Sequence, residues 1–192
     1  MFRPIILLLF FVFLKITSFS QDKDVQSLFN QATKSLKLFV LKKPLNTARI
    51  DISDSTFYGE YLMHSCGQTL DNKIFLEIIN NSKPVDTTEW NDDELQNSIL
   101  IKDSIAPVDL NYVLKKFGTT KKQISMMKSA VKWFNKHTNE RRYYSMSRPI
   151  FDNAHQYAVV NISNNYYGGM LLMFKKVDHV WKELGMIDVW RW

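Results

Sequence analysis

Gln156-Tyr157-Ala158-Val159-Val160-Asn161-Ile162, Met170-Leu171-Leu172-Met173-Phe174 and the run from Val180 to Trp190 decide the fold class. All three are rich in β-branched and aromatic residues, the composition of strands, and Tyr143 to Met146 precedes them with the same character. Turn residues separate them: Asp152-Asn153, then Asn164-Asn165 with Gly168-Gly169, then Val177-Asp178-His179. Sequential strands joined by short turns predict a C-terminal antiparallel β-meander. Gly185 inside the last run predicts a bulge.

Upstream of the meander the period changes. Leu110, Val113, Leu114 and Phe117 share one helical face, and Gly118 is placed to end the turn. Thr120 and Gln123 match a capping box that opens a second helix with Ile124, Met127, Val131 and Phe134 on one side. Helices over 108–117 and 121–137 form a helical hairpin. Near the start, Val25, Leu28, Phe29, Ala32, Leu36 and Phe39 recur at helical spacing, with Asp22 and Asp24 at one end and Lys42, Lys43 and Pro44 at the other. This predicts an amphipathic helix over 22–42 that buries its apolar face on the sheet. The middle, 46–106, is mixed. Ile50 and Ile52 alternate with polar residues and Ile74 to Ile79 is a short apolar run, both of which suit strands; Ser98 to Lys102 reads as another strand, while Asp86 to Glu94 reads as an acidic loop around Trp90. The expected class is α+β, in a single domain over 21–192.

The first twenty residues read as an address. One charge at Arg3, an apolar run from Ile5 to Leu14, and Ser18-Phe19-Ser20 before Gln21 match the regions of a secretory signal peptide. Lys15 interrupts the run short of the about 20 apolar residues a membrane-spanning helix needs, although an uncleaved signal anchor is the alternative. Cleavage after Ser20 leaves 23 basic and 19 acidic residues, so the formal charge falls from +6 to +4. That spread-out charge is a weak signal of nucleic acid or of an anionic membrane and reads as ordinary solubility. The expected address is the periplasm or the cell exterior. Cys66 is the only cysteine, so no internal disulfide forms and the core carries the stability.

Chemical motifs are sparse. Ser125-x-x-Lys128 and Ser129-x-x-Lys132 repeat the serine–lysine spacing of penicillin-recognising enzymes, but neither Ser-Asp-Asn nor Lys-Thr-Gly accompanies them. With 15 Ser and 19 Lys in the chain, about 1.5 such pairs arise by chance, and a solvated helix face is the simpler reading. His64 and Cys66 share one face if extended, which fits a nucleophilic pair or half a zinc site. No second Cys exists, and His137, His155 and His179 stand at no ligand spacing from that pair. Asp86, Glu89, Asp92, Asp93 and Glu94 lack the order of a calcium loop. Lys115, Lys116, Lys121, Lys122, Lys128, Lys132, Lys136, Arg141 and Arg142 make the hairpin the most basic region, with Phe117, Trp133 and Phe134 interleaved. Tyr166-Tyr167, Trp181, Trp190 and Trp192 are candidates for an exposed aromatic patch that meets a partner or a carbohydrate. No Gly-x-Ser-x-Gly, His-Glu-x-x-His, phosphate loop or dinucleotide fingerprint occurs.

Ser147-Arg148-Pro149-Ile150-Phe151, Tyr157-Ala158-Val159-Val160, Gly168-Gly169, Lys175-Lys176, Trp181 and Trp190 together resemble a group of small exported bacterial proteins without an assigned function. The resemblance covers the last 50 or so residues. The Lys-Lys-x-x-x-x-Trp close is also similar to the ends of cone-shaped domains of the nuclear-transport-factor-2 type, which implies helices paired with a curved sheet around a cavity.

The expected function is therefore a non-enzymatic binding or interaction module, with a protein, glycan or small molecule as partner, no nucleic acid, no cofactor, no metal, and no membrane span once the signal is removed. The rivals are a small hydrolase or a small-ligand carrier with a cone-like cavity. Asp51, His64, Cys66 and His155 are the groups whose replacement by alanine separates them.

Overall fold

A computed structural model describes residues 25–33, 38–45, 60, 70–83 and 86–191. They build a seven-stranded mixed sheet and four α-helices, an α+β architecture. The described part of the first helix, α1, covers residues 25–32. The elements that follow are β1 (Leu38–Leu41), α2 (Asn72–Asn81), β2 (Ser98–Ile101), α3 (Leu110–Phe117), α4 (Lys121–Lys136), β3 (Tyr144–Met146), β4 (Ile150–Phe151), β5 (Tyr157–Asn164), β6 (Gly168–Val177) and β7 (Val180–Trp190). The strand order is β2-β1-β3-β5-β6-β7, with β4 on β5.

The meander forms as the turn residues predict. β5, β6 and β7 pair antiparallel in sequence order. Asp178 and His179 adopt φ of 51° and 62° and close a two-residue hairpin between Val177 and Val180. Register slips in β6–β7 fall on either side of Gly185 and leave Leu184 and Ile187 as the extra residues. The helical hairpin also forms. Asp109 caps α3, and Thr120 caps α4 in a complete capping box with Gln123.

Two expectations fail. The helix predicted over 22–42 does not persist: residues 25–32 are helical, but Leu38–Leu41 is a strand. β1 lies inside the sheet, paired parallel to β2 and to β3, and both its faces are covered. Phe39 is 7% and Val40 2% exposed, on opposite faces. A doubly covered strand reads as an unbroken apolar run, and here that run continued the helical spacing by coincidence. Conversely, Ile74 to Ile79 is helix rather than strand. Asp71 accepts a hydrogen bond from the Lys73 N–H and caps α2. Phe75, Ile78 and Ile79, one turn apart, form its buried stripe. The predicted alternation at Ile50 and Ile52 lies outside the described residues, as do the signal segment, Asp51, His64, Cys66 and Trp192.

The sheet is the middle layer. On one face Leu28, Phe29 and Ala32 of α1 meet Val160 and Ile162 of β5, Leu172 and Phe174 of β6 and Trp181 of β7, together with Trp90 from the loop before β2. On the other face Phe75, Ile78 and Ile79 of α2 cover Val159, Leu171, Met173 and Ile187. Beside α2, Val113 of α3 and Val131 and Phe134 of α4 cover Phe39, Ile99 and Ile101. The first helix thus packs on the meander as expected. The hairpin covers the β1–β2 side of the opposite face.

β3 and β4 lie along the same edge of β5, interrupted once. Met146 pairs with Ile162 and Ile150 with Val159, so four steps on one side match three on the other. The extra residue sits in Ser147-Arg148-Pro149, a bulge where Pro149 has no N–H to donate. Ser147 Oγ accepts from the Asn161 N–H there.

Candidate functional site

The β5–β6 turn is an exposed feature of the meander held by the side chains of its two asparagines. Asn164 Oδ1 accepts from the N–H groups of Tyr166 at 2.9 Å and Tyr167 at 3.3 Å. Asn165 Oδ1 accepts from the Tyr143 N–H at 2.9 Å, and its Nδ2 donates to the Arg141 carbonyl at 2.8 Å. Gly168 closes the turn at φ 117°, where a Cβ would lie 2.0 Å from the Trp190 carbonyl oxygen. Both asparagine side chains are thus occupied with backbone, and the two tyrosines are left to point outward.

Tyr166 and Tyr167 are 63% and 59% exposed. Their rings meet edge to face, with centroids 4.9 Å apart. The exposed Arg142 guanidinium lies 5.3 Å from the Tyr166 ring centre and 5.4 Å from that of Tyr167. Its neighbour Arg141 has the opposite fate. Arg141 is 3% exposed, lies 4.7 Å from the centre of the Phe134 ring, and donates to the carbonyls of Phe134, Ser104 and Ala106. One arginine staples the hairpin, and the other is presented to solvent with two aromatic rings. Rings of this kind offer faces to apolar or C–H groups, and a guanidinium offers several donors to carboxylate or hydroxyl oxygens.

A second concentration of charge holds the 86–97 loop. Lys42 pairs with Glu89 at 3.4 Å, Lys116 with Asp92 at 2.5 Å, and Arg148 with Glu94. The three cations come from the end of β1, from α3 and from the β3–β4 bulge. Arg148 also donates to the carbonyls of Thr88 at 3.0 Å and Glu89 at 2.9 Å, and lies 3.8 Å from the centre of the fully buried Trp90 ring. The Tyr112 hydroxyl donates to Asp92 at 2.5 Å and accepts from the Leu100 N–H. Burial pushes the Asp92 carboxyl up, but hydrogen bonds from Lys116 and Tyr112 and the charges of Lys116 and Lys42 outweigh it and hold it below the ordinary carboxylate value. Burial, and then the bond to Asp92, raises the Tyr112 hydroxyl above its ordinary value. Both shifts move away from neutrality, the reverse of what a general acid or base requires. The cluster fastens a loop.

The other candidates do not converge. Ser125, Lys128, Ser129 and Lys132 all lie exposed on α4, so the serine–lysine spacing falls on a solvated face. His155 is exposed at φ 52° and stacks on Phe151 at 4.8 Å. His179 is exposed in the β6–β7 turn, while His137 stacks on Trp133 at 4.9 Å. Of the acidic run, Asp86 Oδ1 accepts from the Thr88 N–H and Asp93 is exposed, while Glu89, Asp92 and Glu94 serve the ion pairs above. Among the described residues, no three His, Cys, Asp or Glu side chains stand close enough to hold a metal ion. The aromatic patch divides: Tyr166 and Tyr167 are exposed, Trp190 is half-buried over Gly169, and Trp181 is 1% exposed in the core. Trp181 is buried because its side chain falls on the sheet face that α1 covers. The pairing of Arg142 with the tyrosines is not legible in the sequence, where Arg142 is one of nine basic residues of the hairpin region. The adjacent Asn164-Asn165 was the signal, since it marks the turn that carries them beside residues 141–143.

No family model matches this chain, and neither the curated proteins nor the solved structures contain one detectably similar to it.

Proposed function

We propose that this protein is an exported, non-enzymatic binding module whose contact surface is the β5–β6 turn with Arg142. The observation that carries the reading is the exposure of Tyr166 and Tyr167 side by side with one guanidinium against both rings, on a turn whose two asparagine side chains are engaged with backbone. Rigid tyrosines lose little side-chain entropy on contact, and arginine and tyrosine are enriched where interfaces concentrate their binding energy. Export rests on the charge, apolar run and small residues of positions 1–20.

The chemistry of the surface fits a glycan or a polypeptide that offers apolar ring or side-chain faces next to an oxygen acceptor. Affinity electrophoresis through gels containing soluble cell-envelope and extracellular polysaccharides, paired with an interaction screen on the same material's proteins, tests it. The expected result is retention that falls at least about tenfold in Tyr166→Ala/Tyr167→Ala, as loss of two contact aromatics implies. Retention unchanged by that substitution, or turnover of an ester, glycoside or peptide substrate abolished by His155→Ala, contradicts the reading.

A further inference from the structure

α4 turns an apolar side inward, where Val131 and Phe134 are buried and Met127 packs with them. Its outer side carries Lys122, Ser125, Met126, Ser129, Trp133 and Lys136, all exposed or largely so. The helix contains five lysines and no acidic residue. None of the five lysines forms an ion pair with a described residue. Within this cationic side Met126 is 55% and Trp133 42% exposed, and they stand seven residues apart, two turns along the same flank. Sixteen residues give the face a length of about 24 Å.

We propose that this outer face of α4 docks on an anionic lipid surface. Lysines attract anionic headgroups, and an amphipathic ring such as that of Trp133 settles at the boundary between headgroup and acyl chain. Met126 on the same flank adds apolar surface to the insertion, the pattern of a helix lying in a membrane interface. A nucleic acid or an acidic polysaccharide engages the lysines equally well and can stack on Trp133 but leaves the exposed Met126 without a role, so the lipid surface accounts for more of the face. The inference concerns a different element from the β5–β6 turn and stands independently of the proposed function.

The test uses the full chain with phosphatidylcholine vesicles, with and without phosphatidylglycerol. Sedimentation is expected with the anionic vesicles and is expected to weaken at high salt. Lys122→Glu/Lys136→Glu should reduce it at least about tenfold. The first twenty residues contain no tryptophan, so a leader that touches lipid gives no tryptophan signal. Quenching of tryptophan fluorescence by brominated phosphatidylglycerol should therefore report the helix, and should be lost in Trp133→Phe. Coincident thermal melts of variants and wild type show that the fold is intact. Sedimentation equal on both vesicle types, sedimentation unaffected by the lysine reversals, or quenching that persists in Trp133→Phe overturns the proposal. Lysine-dependent binding to heparin or duplex DNA with none to vesicles overturns it as well.

Discussion

Replacing Arg148 by methionine removes one side chain that serves four groups at once. Its guanidinium reaches the Glu94 carboxylate, the Thr88 and Glu89 carbonyls and the face of Trp90. Methionine keeps most of the apolar contact with Trp90 and none of the donors. Glu94, whose side chain is 18% exposed, is then left without its cation, and two loop carbonyls lose their partners. Breaking a buried ion pair by deleting one member costs about 3–5 kcal/mol. Glu94 still accepts from the Asn91 N–H and lies near the surface, so the lower end of that range is expected, about 3 kcal/mol. For a domain of this size that corresponds to a fall in Tm of about 6–12 °C. Glu94→Gln keeps some hydrogen bonding and should cost about 1–2 kcal/mol. The double variant should then be less destabilised than the sum by at least about 1 kcal/mol, because each substitution removes the same interaction. Urea unfolding followed by tryptophan fluorescence measures all four corners of the cycle. An Arg148→Met cost below about 1 kcal/mol, or strict additivity, refutes the account of the 86–97 loop as clamped from the bulge.

Three further outcomes follow from other observations. Gly168→Ala should destabilise by about 2–4 kcal/mol, because φ is 117° and the new Cβ would lie 2.0 Å from the Trp190 carbonyl oxygen, and thermal unfolding will show it. The Asp92 carboxyl is held low in the folded state, so its contribution to stability is present above the unfolded value near pH 4 and should be lost as pH falls through the lower folded value. The Tyr112 hydroxyl is raised, so its contribution is full below about pH 10 and should be lost as pH rises further. Unfolding free energies measured across both limbs should show the alkaline decline reduced in Tyr112→Phe.

The sequence discloses some of these contacts and conceals others for identifiable reasons. The hairpins of β5, β6 and β7 are legible because their turns carry residues that tolerate left-handed backbone or bond their own main chain: Asn164, Asn165, Gly168, Asp178. The α4 start is legible because Thr120 and Gln123 act on neighbours three residues away. β1 is not, since Leu38 to Leu41 owes its strand form to β2 and β3, whose pairing residues lie 60 and 104 positions further along. α2 is legible only in part: Asp71 is a cap, and Phe75 with Ile78 and Ile79 has helical spacing, yet the short run from Ile74 to Ile79, apolar except for Glu77, fits a strand as well. The acidic stretch around Trp90 reads as solvated because its cations, Lys42, Lys116 and Arg148, come from three distant elements. The same distance hides the exposed site. Tyr166 and Tyr167 are visible as aromatics, but only the pairing of β3 with β5 brings Arg142 against them.

In-cell photo-crosslinking tests the binding-module account most directly. A benzophenone amino acid is placed at Tyr166 in one variant and at Val180, 53% exposed beside the β6–β7 turn, in another. The ten residues of β6 separate the two positions by about 30 Å, at opposite ends of the strand. The account predicts a defined adduct from position 166 that Arg142→Ala diminishes, and none from position 180. Adducts from both positions alike, or from neither in cells that produce the protein, contradict it.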